Sequence, residues 1–320
     1  MASEFDLIAR YFTRPTPSAR LGVGDDAALI APRAGFELAV SADMLVAGTH
    51  FLADVDPVLL GHKALAVNLS DLAAMGARPR WALLSLALPE ADEAWLASFS
   101  QGFLVLAAEH GVDLIGGDTT RGPLNLSVTI MGEVEADQAL RRDAAQVGDE
   151  IWVSGELGAA ALGLQYLLGE RQLAPAEAAA CLARLHRPVP RVALGCCLIG
   201  LAHACIDISD GLVADLGHIL ERSHVGAEIR LADMPLAAAV AGRLSEPRTL
   251  RAALAGGDDY ELCFTAPAMR ADAIRAAAAE AGVPVARVGR ITAEAGLQLF
   301  DAEGRAMPLH ASGFDHFAGC

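Results

Sequence analysis

Lysine is almost absent from this chain, which contains only Lys63 among its 24 basic residues. Lys63 lies in an apolar stretch, and no Gly-x-x-x-x-Gly-Lys-Ser/Thr motif is present, which excludes a P-loop nucleotide site. The His-Arg-Asp, Asp-Phe-Gly and Val-Ala-Ile-Lys motifs of protein kinases are also missing. Any phosphate group must therefore be bound in another way, and Arg121 and Arg142 are the best candidates to replace lysine.

Long apolar runs and excess positive charge are missing too. No segment approaches about 18 consecutive apolar residues, and the N-terminus has no basic stretch followed by an apolar one. The net charge of −16 argues against binding to nucleic acid or to anionic membranes. The six cysteines begin only at Cys181 and form no Cys-x-x-Cys pair, which fits a reducing compartment. We therefore expect a soluble cytoplasmic protein.

The length of 320 residues and the 53% apolar content favour two domains. Charge rises over 137–143, so we expect one domain over 1–143 and a second over 144–320. Helices and strands are mixed without a regular βαβ rhythm, which favours an α+β fold. Hydrophobic spacing predicts helices at 5–12, 57–74, 92–109, 175–185, 190–202, 211–222 and 270–281, and one from residue 157. It predicts strands at 27–30, 37–41, 81–88, 112–115, 125–133, 150–154, 205–208, 227–231, 260–265, 285–291 and 296–300.

The most informative feature that is present is a set of aspartates beside glycines or small residues, at the predicted ends of apolar runs. The set consists of Asp25, Asp26, Asp43, Asp71, Asp118, Asp207, Asp210, Asp258 and Asp259. Mg²⁺ is typically bound by one or two carboxylates together with substrate phosphates. Each position alone also fits a polar turn or a helix cap. Together they predict a magnesium-dependent enzyme that acts on phosphate groups.

Three positions carry more specific expectations. Gly116-Gly117-Asp118 is predicted to form a glycine loop whose backbone N–H groups approach phosphate. Asn68 and Asp71 are three residues apart on one face of an apolar helix, where buried polar groups are costly unless they are satisfied, which favours ligands. His50, just after Gly48 and Thr49, is a candidate substrate contact. Ser209 is either a simple helix N-cap or part of the site.

Eight longer strings are distinctive. They are FDLIARY (5–11), GVGDDAA (22–28), LVAGTHF (45–51), KALAVNLSDLAAMGA (63–77), LIGGDTTRGP (114–123), IDISDGL (206–212), GGDDYELCF (256–264) and GFDHF (313–317). Together they closely resemble the thiamine-monophosphate kinase family. The resemblance extends from near residue 5 to near residue 317. It implies a PurM-like two-domain fold, in which N-terminal α/β domains pair across a homodimer and a C-terminal α+β domain completes each site. It also implies ATP-dependent phosphorylation of thiamine monophosphate to thiamine diphosphate with several Mg²⁺ ions.

The resemblance assigns roles residue by residue. The implied metal ligands are Asp26, Ser41, Asp43, Asp71, Asp118, Asp207 and Asp210. The implied ATP contacts are Gly117, Asp118, Arg142 and Ser209. The implied substrate contacts are His50, Asp258 and Phe314. No general base is expected, because the phosphate of the acceptor is largely ionised near neutral pH.

This chain departs from the family pattern at Ala42 and Asp258, and it has a different aromatic residue at Phe314. Ala42 stands where the family usually has Thr, so a hydroxyl ligand is missing and water or the Ala42 carbonyl must serve. Asp258 stands where the family usually has Glu, so its carboxylate is one methylene shorter. Phe314 replaces Tyr or Trp and can still stack on a thiamine ring.

Other functions remain open at this point. Selenophosphate synthetase has a reactive Cys or selenocysteine near the N-terminus, whereas the first cysteine here is Cys181. The hydrogenase-maturation carbamoyl dehydratase ends in Pro-Arg-Ile-Cys, whereas this chain ends in Phe-Ala-Gly-Cys320. A catalytically silent sensor of magnesium and nucleotide is a third possibility, but the full aspartate set argues against it.

Overall fold

The computed structural model describes residues 3–308. The chain forms two compact units, which we call unit 1 and unit 2. Unit 1 extends to Leu72 and includes Ala77–Asp137, while unit 2 contains Ala73–Gly76 and the chain from Gln138 onward. Both units combine helices with a mixed sheet, which confirms the predicted α+β fold. The functional roles assigned to 1–143 and 144–320 stay predictions.

Unit 1 is built on a four-stranded sheet with the strand order β1-β4-β2-β3. Its elements are α1 (Glu4–Leu7) followed by a π-helical turn (Ile8–Phe12), β1 (Phe36–Val46), α2 (Pro57–Ala74), β2 (Arg78–Leu88), α3 (Glu93–Glu109), β3 (Asp113–Arg121) and β4 (Asn125–Glu135). β4 pairs antiparallel with both β1 and β2, whereas β2 and β3 are parallel. The last two residues of α2 belong to unit 2.

Helices α2 and α3 cross unusually closely, and two glycines permit this approach. A Cβ atom at Gly61 would lie 2.1 Å from the carbonyl oxygen of Phe99, and one at Gly102 would lie 1.9 Å from that of Val58. Almost the whole length of α2 is buried, including Lys63 at 5% exposure. A polar residue on α2 therefore needs a specific partner, which bears on Asn68 and Asp71.

Unit 2 contains a seven-stranded sheet with the order β11-β10-β7-β9-β5-β8-β6. Its strands are β5 (Glu150–Ser154), β6 (Ala204–Ile208), β7 (Gly226–Arg230), β8 (Glu261–Ala266), β9 (Val285–Thr292), β10 (Gly296–Phe300) and β11 (Ala306–Met307). Its helices are α4 (Ala159–Leu167), α5 (Pro175–His186), α6 (Val192–Leu198), α7 (Leu212–Ser223), α8 (Ala238–Ala241), α9 (Pro247–Ala255) and α10 (Ala271–Glu280). α7 packs on β6 and contributes Leu216 and Ile219 to the main apolar core of this unit.

The predicted elements were right where hydrophobic spacing was clear, as in α2 and β5, and wrong at three places. The predicted strand at 27–30 does not form, and Leu29 makes only an isolated bridge with Leu21. β1 continues five residues beyond the predicted end at Ser41. The segment Gly116-Gly117-Asp118 is not a loop but the middle of β3. The short helices α8 and α9 were not predicted.

In the part of the chain that the structure describes, no helix is both long and apolar enough to cross a membrane. The longest described helix, α2, is instead buried within the fold. This agrees with the absence of long apolar runs in the sequence.

Candidate active site

In unit 1, β1 and α2 bring together four predicted polar residues. The hydroxyl of Ser41 donates to the carboxylate of Asp71 at 2.5 Å. The backbone N–H of Asp43 donates to Oδ1 of Asn68 at 3.1 Å, and Asn68 is itself fixed by donating to the carbonyl of Ala64 at 2.9 Å. These contacts join β1 to α2 through Asn68 and Asp71, the two residues of α2 that the sequence analysis singled out as candidate ligands.

The periodicities of the two elements explain this arrangement. Ser41 and Asp43 are two residues apart on a strand, and Asn68 and Asp71 are three apart on a helix, so each pair lies on one face. Asp43 was expected at the end of a strand, but it lies in the middle of β1, opposite Val128 of β4. Pairing along all of β4 keeps β1 extended through this position. Ala42, between the two polar residues, is exposed.

The other predicted residues of unit 1 are distributed over separate segments. Asp26 is exposed in a bend after Gly24, whose φ of 124° requires glycine. Asp118 is exposed on β3, opposite Ser85 of β2. Gly117 has a φ of 148°, and a Cβ atom there would lie 1.8 Å from the carbonyl oxygen of Leu84. Close strand packing therefore requires glycine at this position.

His50 follows a tight turn at the end of β1. Its backbone N–H and that of Thr49 both donate to the carbonyl of Val46. Its ring Nδ1 accepts the backbone N–H of Val46 at 2.9 Å, so the proton of a neutral ring is on Nε2. The turn thus fixes both the position and the tautomer of the predicted substrate contact.

In unit 2, the predicted residues of the Asp207–Asp210 segment lie where β6 meets α7. Asp207 is buried at 4% exposure on β6, while Ser209 and Asp210 are half-buried in the connecting loop. Gly211, with a φ of 107°, is the N-cap residue of α7. Ser209 is therefore not a simple N-cap, and that alternative is wrong.

The glycine-rich segment 256–260 packs directly against this loop. The backbone N–H of Asp258 donates to the carbonyl of Ser209, and that of Tyr260 donates to the carbonyl of Ile208, both at 2.8 Å. A Cβ atom at Gly257 would lie 2.5 Å from the carbonyl oxygen of Ser209. The hydroxyl of Tyr260 donates to the carboxylate of Asp258 at 3.1 Å, which orients that predicted substrate contact.

Two carboxylates that were assigned no individual role, the buried Asp215 and the half-buried Asp259, lie beside these loops. Burial and the neighbouring carboxylate of Asp210 raise the pKa of Asp215, on α7, to about 7. Burial raises the pKa of Asp259 well above its ordinary value, and this carboxylate accepts the N–H of Gly158 at 2.9 Å. Asp215 was missed because its role depends on a backbone contact that no sequence spacing specifies.

A buried ion pair between Arg191 and Glu261 fixes the start of β8, directly after the segment 256–260. Glu261, at 2% exposure, accepts two hydrogen bonds from the guanidinium of Arg191 and one from the hydroxyl of Ser154 at 2.6 Å. Ser154 in turn accepts the N–H of Leu262 at 2.8 Å. Removing one partner of such a pair leaves an uncompensated buried charge, so this cluster is structurally important.

Two further predicted residues, Arg142 and Phe314, are not part of these clusters. The carbonyl of Arg142 accepts a hydrogen bond from Ser223, at the C-terminal end of α7, whereas Ser209 precedes its N-terminal end. Arg142 follows Arg141, which forms a bridge with Ala204 at the start of β6, whereas Ser209 directly follows the end of β6. The backbones of Arg142 and Ser209 therefore lie at opposite ends of this strand. Phe314 lies outside the described residues.

The side-chain oxygens at the contact of β1 with α2 fit a hard cation that is also bound by phosphate oxygens. Within residues 3–308, no three side chains of His, Cys, Asp or Glu are grouped so that they could hold a metal ion alone. Ser41 and Asp71, which are both half-buried, nevertheless place a hydroxyl oxygen and a carboxylate oxygen 2.5 Å apart. Mg²⁺ usually has one or two protein carboxylates and completes its shell with water and phosphate. The residues therefore fit Mg²⁺ that is bound together with a nucleotide.

Comparisons with known proteins define the class to which this fold and site belong. The family model "AIR synthase related protein, N-terminal domain" matches residues 24–134, and the corresponding C-terminal model matches residues 146–302. The chain belongs to this AIR synthase related, or PurM-like, superfamily.

Within that class the relatives are more specific. Thiamine-monophosphate kinase of Escherichia coli K12 is 48% identical over 319 residues, which are 98% of each chain. A crystal structure of thiamine-monophosphate kinase from Stenotrophomonas maltophilia is 49% identical, with a TM-score of 0.84 over 94% of this chain and 95% of that one. A structure of AaThiL complexed with AMPPCP and TMP is 31% identical, with a TM-score of 0.77 over 90% of this chain and 89% of that one. This chain belongs to the thiamine-monophosphate kinase family.

Proposed function

We propose that this protein transfers the γ-phosphoryl group of ATP to the phosphate of thiamine monophosphate, giving thiamine diphosphate and ADP. The observation that carries the proposal is the contact of Ser41 and Asp43 on β1 with Asn68 and Asp71 on α2, in a family member. A relative has been solved with AMPPCP, a non-transferable ATP analogue, and TMP. Family membership over the full length favours this function over the alternative enzymes and over a silent sensor.

The aspartates of the site bind magnesium, in this proposal. The proposed ligands are Asp26, Ser41, Asp43, Asp71, Asp118, Asp207 and Asp210. When bound, Mg²⁺ neutralises charge on the phosphates and keeps donor and acceptor in line. Without cations, a chain with a net charge of −16 would repel both ATP and a phosphate monoester.

The reaction needs no general base. The acceptor phosphate has a second pKa of about 6, so its terminal oxygen is largely ionised near neutral pH. That oxygen forms a bond to the γ-phosphorus of ATP, while the bond from this phosphorus to the β-phosphate oxygen breaks and ADP leaves with the electron pair. No proton must be removed, so the protein contributes by positioning the groups and stabilising their charge.

The nucleotide and the acceptor use different residues of the site. Gly117, Asp118, Arg142 and Ser209 contact ATP, with Arg142 providing charge that lysine provides in P-loop enzymes. His50, Asp258 and Phe314 contact thiamine monophosphate. Support comes from the turn that fixes the tautomer of His50 and from the Tyr260 hydroxyl, which orients Asp258.

The active form is proposed to be a homodimer that pairs through β1. Val40 and Met44 are 57% and 58% exposed on this edge strand, and Leu38 on the same strand is also exposed. The neighbouring part of the sheet face is covered, because Trp81 and Met131 pack against Ile30. An uncovered apolar stripe beside a covered one is typical of an interface with another chain. Domain 1–143 would supply this interface, and domain 144–320 would complete the nucleotide and substrate site.

The test is a direct assay of the purified chain. ATP, Mg²⁺ and thiamine monophosphate are incubated with the protein, and the products are identified by mass spectrometry. The expected result is equal amounts of thiamine diphosphate and ADP, with neither formed in excess EDTA. Hydrolysis of ATP without thiamine diphosphate, or no reaction at all, would contradict the proposal.

A further inference from the structure

The loop that connects β6 to α7 is fixed by a side chain outside the assigned site. Asp215, at 3% exposure in the first turn of α7, accepts the backbone N–H of Ser209 at 3.0 Å and that of Asp210 at 3.1 Å. Both bonds go to the same oxygen, Oδ2. The backbone N–H of Asp215 donates to the carbonyl of Gly211 at 3.0 Å, which forms the first turn of α7 after the loop.

The same loop is held on its opposite side by carbonyl contacts. The carbonyls of Ile208 and Ser209 accept the N–H groups of Tyr260 and Asp258. Gly211 also packs closely, since a Cβ atom there would lie 2.5 Å from Cα of Ala255. The peptide between Ser209 and Asp210 is thus held through its N–H by Asp215 and through its carbonyl by Asp258.

The carboxylate of Asp215 is not explained by stability of the fold alone. Desolvation of a carboxylate is costly, and the neighbouring carboxylate of Asp210 adds repulsion. An uncharged side chain could cap the helix without this cost. The carboxylate instead orders two consecutive N–H groups, which sets the direction of the side chains of Ser209 and Asp210.

We propose that Asp215 is a positioning residue that holds Ser209 and Asp210 in the conformation required to bind the magnesium–nucleotide complex. The inference rests on the proposed function, because the ligands of Ser209 and Asp210 are taken from it. Residues that orient direct ligands commonly change metal affinity or activity by about 10–100-fold when they are replaced.

The experiment compares Asp215→Ala with Asp215→Asn and with a matched control. The amide oxygen of Asn can accept both N–H bonds, whereas Ala leaves them without an acceptor. The control is Asp149→Ala, which removes another buried aspartate of unit 2 that accepts a backbone N–H, from Gln146 at 2.9 Å. Asp149 precedes β5 at the end of the sheet where Glu150 pairs with Ala266, away from the loop of Ser209.

The measurements are the affinity for Mg²⁺ with AMPPCP by calorimetry, the Mg²⁺ concentration for half-maximal turnover, and the melting temperature without ligand. Asp215→Ala is expected to weaken binding and raise the Mg²⁺ requirement about 10–100-fold. Asp215→Asn is expected to restore both largely to wild-type values. Asp149→Ala is expected to lower the melting temperature while leaving binding unchanged.

Wild-type binding in a folded Asp215→Ala variant would overturn the inference, as would an equal loss of binding in Asp149→Ala. If Asp215→Ala does not fold, Asp215→Glu decides, because it keeps the charge but displaces it. Weaker binding by a folded Glu variant supports the inference, and unchanged binding overturns it. Calorimetry needs no acceptor. An inactive wild type whose AMPPCP binding is weakened by Asp215→Ala would therefore contradict only the proposed function.

Discussion

The hydroxyl of Ser41 on β1 donates to the carboxylate of Asp71 on α2 at 2.5 Å, although 30 residues separate them in the chain. This bond satisfies one oxygen of a carboxylate on a helix that is almost entirely buried. In the proposed site, the two oxygens would both be ligands of a magnesium ion. The first prediction follows from this pair.

Asp71→Asn is expected to lower turnover about 10²–10³-fold, because removing one electrostatic group that stabilises phosphoryl transfer commonly costs this much. Folding is expected to survive, since the amide oxygen can still accept from Ser41. Turnover and melting temperature are measured on the same preparation. The control is Asp272→Asn, an exposed residue of α10 that should behave as wild type. Near-normal turnover by the Asp71 variant would show that Asp71 is not a metal ligand.

The second prediction concerns the dimer. Replacing Val40 and Met44 with Glu puts charge on the exposed apolar stripe of β1, so the variant should be monomeric. Light scattering at micromolar protein should give about two chains of 33.2 kDa for the wild type and about one for the variant. Met269→Glu, at an exposed apolar residue of unit 2, is the control. A wild type with the mass of one chain would refute the proposed homodimer.

The third prediction concerns the close crossing of α2 and α3. Gly102→Ala places a methyl group 1.9 Å from the carbonyl oxygen of Val58, and we expect a destabilisation of about 1–3 kcal/mol from overpacking. Gly217→Ala on α7 meets no atom within 4 Å and should be neutral or stabilise by up to about 1 kcal/mol. Thermal denaturation of both variants tests this difference. Equal melting temperatures for Gly102→Ala and Gly217→Ala would contradict the close packing of α2 on α3.

The fourth prediction concerns acid stability through Glu133 on β4. Its carboxylate accepts the backbone N–H and the Nε–H of Arg33, both at 2.8 Å. Burial acts to raise the pKa of Glu133, but the hydrogen bonds and charge of Arg33 outweigh it and hold the pKa below its ordinary value of 4.5. The stabilisation is therefore complete above about pH 4.5 and is lost as the pH falls through the folded-state pKa.

Glu133→Gln is expected to be less stable than wild type by about 1–3 kcal/mol at pH 7, as is typical for a charged hydrogen bond. The difference in melting temperature should shrink when the pH is lowered below about 4.5. Glu135→Gln, at an exposed residue of the same strand, is the control and should follow the wild type. A difference that stays constant with pH would contradict the role of the Glu133 charge.

Local periodicity was sufficient to predict one part of the candidate site. The helical spacing of Asn68 and Asp71 predicts that both lie on one face of α2, and in the structure both contact β1, which the sequence did not predict. The boundaries of α2 were predicted correctly because Pro57 and Gly76 mark them, and Gly76 has a φ of 67°.

Strand pairing was not predictable in the same way. Gly and Asp are unfavourable in strands, so Gly117 was assigned to a loop and Asp43 to a strand end. Pairing with β2 and β4 overrides these preferences, since tertiary contacts keep both segments extended. Asp215 was missed for a related reason, because its function depends on which backbone amides the fold brings to it.

The most direct test of the central claim follows the γ-phosphoryl group itself. ATP labelled with ¹⁸O at the three terminal γ-oxygens is incubated with Mg²⁺, thiamine monophosphate and the protein, and thiamine diphosphate is analysed by mass spectrometry. Transfer of the γ-phosphoryl group to the acceptor predicts thiamine diphosphate that carries all three labelled oxygens, formed in step with ADP. Label that appears only in inorganic phosphate, or thiamine diphosphate without label, would contradict the account.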